Sequence, residues 1–223
     1  MRSNKSGVII IVLISCLIMG IIDAIIQPGY AIKSAVKIGL FLILPILYSC
    51  FIEDCSLKKV ITPNFNSIKI AIALGLGIYV FILGAYFLFR GIFDFSSVTS
   101  SLESGVGVTK TNFIWVAIYI SLVNSLLEEF FFRGFAFLSL KRIASRRFAY
   151  IFSSAVFAFY HIAMMIGWFH ISVILLSLIG LFIGGLIFNF FNEKSGNIYT
   201  SWLVHMCANF SINTIGFILF GIL

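Results

Sequence analysis

Apolar residues run along this chain in seven long stretches, at about 7–26, 31–52, 68–89, 112–140, 148–166, 170–191 and 197–223, with short polar breaks between them. A helix needs roughly 20 predominantly apolar residues to cross the hydrocarbon of a bilayer, and each stretch is close to that length. Nothing in them alternates like the lipid-facing strands of a barrel. Backbone groups in hydrocarbon must find their partners internally, so all seven stretches predict helices. The expected fold class is therefore all-α: a polytopic transmembrane helix bundle of about seven spans. Pro28-Gly29 breaks the first pair of spans and Thr62-Pro63-Asn64 the second. Between Arg90 and Thr111 lies a Ser-, Gly- and Thr-rich segment that fits a loop, a re-entrant stretch or an interfacial helix equally well. In the sixth span Gly180 and Gly184, followed at once by Gly185, predict a close helix approach of the GxxxG kind.

Composition agrees with this pattern. Of 223 residues, 61% are hydrophobic and only 10% charged, with a mean hydropathy of +1.13, whereas soluble domains carry about 25% charged residues. The length leaves no room for a large soluble domain beside seven spans. A formal charge of +7 raises the question of nucleic acid. However, the basic residues sit between apolar runs and do not gather on one face, so they read as topology signals, with no nucleic-acid partner. With the N-terminus inside, Arg2, Lys5, Lys58, Lys59, Lys69, Lys141, Arg142, Arg146, Arg147 and Lys194 are cytoplasmic, ten of the fifteen. Lys33, Lys37, Arg90 and Lys110 fall on or toward the other side, and Arg133 lies within a span. The Lys/Arg bias thus predicts a multi-pass protein of the cell membrane with its N-terminus in and its C-terminus out.

Cys16, Cys50, Cys55 and Cys207 show no paired metal spacing and read as small apolar filler. Leu13-Ile14-Ser15-Cys16 resembles a lipoprotein cleavage box. The apolar run continues to Ile26, though, which predicts an uncleaved helix.

The acidic residues carry the chemistry. Six of the eight (Asp23, Glu53, Asp54, Asp94, Glu103 and Glu193) fall at or beyond the ends of spans, while Glu128 and Glu129 lie deep in the fourth. An ionised side chain at mid-bilayer costs about 2.5 kcal/mol or more, so both must face protein or water. Glu129 and Arg133 are spaced i,i+4 with the acid N-terminal, the favourable geometry for a supporting ion pair. Glu128 points about 100° away around the helix, which leaves it as the free acid, a candidate general base.

Two histidines join it: His161 in the fifth span, and His205 in the last, where Ser201, His205, Asn209 and Asn213 form a polar stripe. Measured from the nearest basic residue of the loops, Glu128, His161 and His205 lie at similar depths, roughly 16–21 Å at about 1.5 Å of rise per residue. Three helices bringing polar groups to one level is what an active site or an ion pathway within a bundle requires. His170, beside Trp168 in a short turn, reads as interfacial.

Glu128-Glu129-Phe130-Phe131-Phe132-Arg133, then Phe157 to His161, then His205 to Asn209 spell EExxxR, FxxxH and HxxxN in order. This ordered set resembles the CAAX protease and bacteriocin-processing (CPBP, or Abi) family of intramembrane proteases, over about residues 112–213. The likeness implies a catalytic core at 112–223, accessory helices at 1–90 and a connecting segment at 91–111. It also implies an endopeptidase acting on membrane-associated or lipidated peptides. By that likeness Glu128, helped by His161, activates water, His205 with Asn209 stabilises the oxyanion, and Glu129, Arg133 and Phe157 support the site. A metal reading also exists, in which His161, His205 and a carboxylate hold zinc. The sequence has no HExxH, and an asparagine four residues after His205 suits an oxyanion site better, so no cofactor is required in the favoured reading. A transporter, a bacteriocin-immunity protein or a scaffold using the same pocket is the competing class. Neither substrate nor oligomeric state is legible.

Overall fold

The computed structural model of the chain describes residues 5–51, 57, 60–62, 68–93, 95–166 and 170–223. Arg2, Lys58, Lys59, Glu53, Asp54, Asp94, Cys55, Pro63, Asn64 and Trp168 lie outside the described residues. Among the described residues, seven helices are long and apolar enough to cross a membrane. They are α1 (Lys5–Ile26), α2 (Tyr30–Phe51), α3 (Ile68–Phe89), α5 (Phe113–Ile143), α6 (Arg146–Met165), α7 (Ile171–Ser195) and α8 (Tyr199–Leu219). Between α3 and α5 the undecided segment forms a short helix, α4 (Ser96–Val106), ended by left-handed Gly107 at φ 69°. At 11 residues α4 is too short to span.

The breaks fall where the sequence puts them. Gln27 ends α1 in a left-handed conformation with its N–H bonded to the Ile22 carbonyl, and Gly29 caps α2 beyond Pro28. Ser145 caps α6 by accepting from the Phe148 N–H, and exposed His170 caps α7 in the same way from Ser172, consistent with a place at the membrane interface.

The centre of the bundle is α5, which packs against α1, α2, α6, α7 and α8, while α3 lies outside along α8 and α7 runs along α6. Every residue from Leu127 to Leu140 is buried, the mark of a helix enclosed on all sides. The core around it is aromatic: Phe41 of α2 stacks on Phe131, with ring centroids 4.0 Å apart, and Phe132 meets Phe157 of α6 edge-on. Large apolar side chains on the outer faces, such as Val80, Trp115 and Leu176, stay exposed and form the lipid-facing surface.

Among the described residues, π-helical segments widen these helices at Ile22–Ile26, Gly39–Ile43, Ile120–Asn124 and Glu129–Leu138. The second lies just before Pro45, whose missing N–H deprives the Phe41 carbonyl of its i+4 partner. Such wide turns gather at functional sites.

The GxxxG expectation fails. A Cβ added at Gly180 or Gly184 would meet nothing within 4 Å, whereas one on Gly185 would lie 3.0 Å from Ser154 of α6. The close approach is real, but it uses the third glycine, because only that one faces α6.

Candidate active site

Glu128, Glu129 and Arg133 are all essentially inaccessible to solvent. The structure places a partner on each acid that corrects the sequence reading. Glu128 is not free: the Lys37 ammonium, from α2, donates to its Oε1 at 2.6 Å and to the Asn124 side-chain oxygen at 2.6 Å. The Asn124 amide donates to the same Oε1 at 3.0 Å. Lys37 is therefore no outer-side topology signal but a buried counter-ion, lying over the rings of Phe41 and Tyr160.

The second carboxylate oxygen faces the histidines. His161 Nε2 and His205 Nε2 each lie 3.6 Å from Glu128 Oε2. Both rings are fixed through their other nitrogen. His161 Nδ1 is 2.7 Å from the Phe157 carbonyl one turn back on α6. A carbonyl only accepts, so that nitrogen carries the proton, and in the neutral ring Nε2 presents a lone pair to Glu128. His205 Nδ1 donates to Glu129 Oε1 at 2.9 Å, and its ring stacks on Phe188 of α7.

Glu129 thus has two tasks. It orients His205, and its other oxygen is 3.6 Å from Arg133 Nε, the i,i+4 support that the spacing predicted. Arg133 is held as much by rings as by charge: its guanidinium carbon lies 4.0 Å from the Phe157 ring centre and 5.2 Å from that of Phe188. Phe157 therefore supports the site twice, through its carbonyl to His161 and its face to Arg133.

The polar stripe of α8 faces protein, as expected. Ser201 donates to Asn192, Asn209 donates to the Ile120 carbonyl at 3.2 Å, and Asn213 donates to the Ala117 carbonyl and to Ser121. The Ile120 carbonyl belongs to a π-helical segment of α5. The Asn209 amide has a second N–H beyond that bond.

Glu128, His161, His205 and Asn209 all line one cavity of about 440 Å³. Its opposite wall comes from α1 and α2, including Lys37 and a second ion pair, half-buried Lys33 to buried Asp23 at 2.6 Å. The helices read as accessory therefore supply both a counter-ion and a wall. One signal pointed to Lys37: it lies well inside a span, where a cation needs a partner as much as an acid does.

The donor set fits a zinc shell poorly. Among the described residues no three His, Cys, Asp or Glu side chains are disposed to hold a metal ion together. The Lys37 ammonium, bound to Glu128, would repel a divalent cation on the same carboxylate.

A family model described as "Type II CAAX prenyl endopeptidase Rce1-like" matches residues 110–211, from the start of α5 into α8. No curated protein and no solved structure matches the chain. The match covers all three motifs and agrees with the family they indicate.

Proposed function

Starting from this Rce1-like core in a multi-pass membrane protein, a core of the CAAX-type intramembrane protease kind, we propose an endopeptidase that hydrolyses membrane-associated or lipidated peptides with Glu128 as general base. The observation that carries the reading is the convergence of two histidine Nε2 atoms, each 3.6 Å away, on one oxygen of a buried glutamate at the floor of a cavity.

The chemistry follows from the charges. At rest Lys37 and Arg133 balance Glu128 and Glu129. Glu128 Oε2 and the His161 Nε2 lone pair form an acceptor pair that orients one water molecule. As the water oxygen attacks the peptide carbonyl, its proton passes to Glu128 and the negative charge moves to the carbonyl oxygen. The net charge of the site stays the same, and Lys37 then balances the oxyanion in place of the carboxylate, in surroundings of low dielectric. Collapse of the tetrahedral intermediate breaks the C–N bond, and Glu128 returns the proton to the leaving amine. The products are a carboxylic acid and an amine, which leave as carboxylate and ammonium once the acid's proton passes to the amine.

Asn209 donates its second N–H to the oxyanion. His205 has its Nδ1–H committed to Glu129, so its Nε2 donates to the oxyanion only as an imidazolium. Glu129 acts through His205 and is a positioning residue. No metal enters these steps, a reading supported by the ammonium on Glu128. Comparing peptides and new protein termini in membranes carrying the wild type or Glu128→Gln tests the proposal. Products that depend on Glu128 support it, and their persistence in a folded variant removes it.

A further inference from the structure

The cavity is one-sided. On α5 its lining runs from Phe113 to Glu128, and nothing beyond Glu128 contributes. On α6 the lining starts at Tyr160 and His161 and continues only toward Met165, and on α8 it starts at His205 and continues only toward Leu219. The α1–α2 turn closes one side and α4 another, through Gln27 and Leu102 among others. Each helix thus contributes its working residue and positions on one side of it, over roughly 20 Å on α5 and α8 and about 8 Å on α6 at the α-helical rise. The other side is plugged. Phe131, Phe132, Arg133, Phe135 and Phe137 are completely buried directly beyond the two glutamates.

The two ends of the bundle differ in charge. Lys5, Lys69, Lys141, Arg142, Arg146, Arg147 and Lys194 lie at the plugged end, where Glu193 binds Lys141 at 2.9 Å and Arg146 at 2.7 Å. At the open end the described basic residues are Lys33, Arg90 and Lys110. Lys33 is neutralised by Asp23, and Lys110 donates to the Gly221 carbonyl. Loops rich in Lys and Arg stay in the cytoplasm, so the open mouth faces away from it.

We propose that this site takes its substrate from the extracytoplasmic face of the membrane: an apolar peptide segment lying at the outer leaflet, and not a prenylated tail presented from the cytoplasm. The mouth suits such a chain. One wall carries Asp23, Gln27, Lys33 and Ser34, which can meet a polar backbone, and the facing wall carries Val98, Leu102, Phe113, Ile212 and Leu219 for apolar side chains. Only the identity of the occupant rests on the endopeptidase reading; the direction of access does not.

The test is accessibility to a membrane-impermeant, sulfonated methanethiosulfonate reagent in intact bacterial cells. The full chain is used with Cys16, Cys50, Cys55 and Cys207 replaced by alanine. Single cysteines are placed by Leu102→Cys at the mouth, Ser34→Cys inside the cavity and Arg147→Cys at the basic end, with Gly105→Cys as a second mouth position should the first not fold. Labelling of the mouth and cavity positions in intact cells, with the Arg147 position reacting only after permeabilisation, is the expected result. Labelling of the Arg147 position alone in intact cells overturns the proposal, as does a cavity position that stays silent while the mouth reacts. Either outcome leaves the endopeptidase reading standing. Conversely, peptide products that persist in the Glu128→Gln variant, with this labelling pattern intact, remove the peptidase and keep the direction of access.

Discussion

Replacing Lys37 by methionine tests the charge balance of the site without needing a known substrate. The ammonium and the Glu128 carboxylate are 2.6 Å apart, with side chains 7% and 2% exposed. Removing one partner of so buried a pair costs roughly 3–5 kcal/mol, because the other charge remains uncompensated. Asn124, at 3.0 Å, is then the remaining hydrogen-bond donor on that oxygen. Removing both charges should recover most of the loss. Lys37→Met and Glu128→Gln should therefore each lower the unfolding midpoint of the purified protein, while the double variant returns close to wild type. The expected coupling is about 3 kcal/mol in a double-mutant cycle, above the few tenths of a kcal/mol seen for independent sites. The same methionine variant should lose about 10²-fold in cleavage rate, the kinetic equivalent of roughly 3 kcal/mol. Additive losses of stability would refute the pairing, and a folded Lys37→Met variant with full activity would refute its part in the chemistry.

Glu129→Gln keeps an acceptor for His205 but removes the charge. It should lower kcat by about 10- to 10²-fold with KM little changed, since a hydrogen bond to a charged group is worth roughly 1.5–3 kcal/mol; a KM effect alone would contradict the positioning role. Gly185→Val should destabilise the protein by about 1–3 kcal/mol through its contact with Ser154. Gly184→Val should stay within about 0.5 kcal/mol in the same thermal assay. Prolonged chelation of the purified protein should leave cleavage unchanged, and loss of activity restored by zinc would overturn the metal-free mechanism.

Much of the architecture was legible because a bilayer imposes length and polarity on every span. The seven apolar stretches match the seven spanning helices to within a few residues at most ends. Depth along the helices also brought Glu128, His161 and His205 together correctly, because the rise per residue is fixed. What spacing does not carry is which neighbour a side chain meets. Lys37 stands seven residues inside α2, yet its Coulomb partner is 91 positions away, and no local pattern links the two. The i,i+4 rule found Arg133 for Glu129 but not His205, whose contact depends on how α8 packs on α5. The glycine cluster failed for a similar reason: GxxxG marks a smooth helix face, and the packing of α6 selected the face of Gly185. In the segment 91–111, Ser, Gly and Thr suit turns and short helices alike, so the local sequence left α4 open.

The most direct measurement is the set of peptides and new termini released in membranes holding equal amounts of folded wild type and Glu128→Gln, each assayed below its own unfolding transition. If Glu128 is the base that activates water, specific products present with the wild type will be absent with the glutamine variant, and Asn209→Ala will lower the same products. Equal products from wild type and a correctly folded Glu128→Gln protein would contradict the central claim.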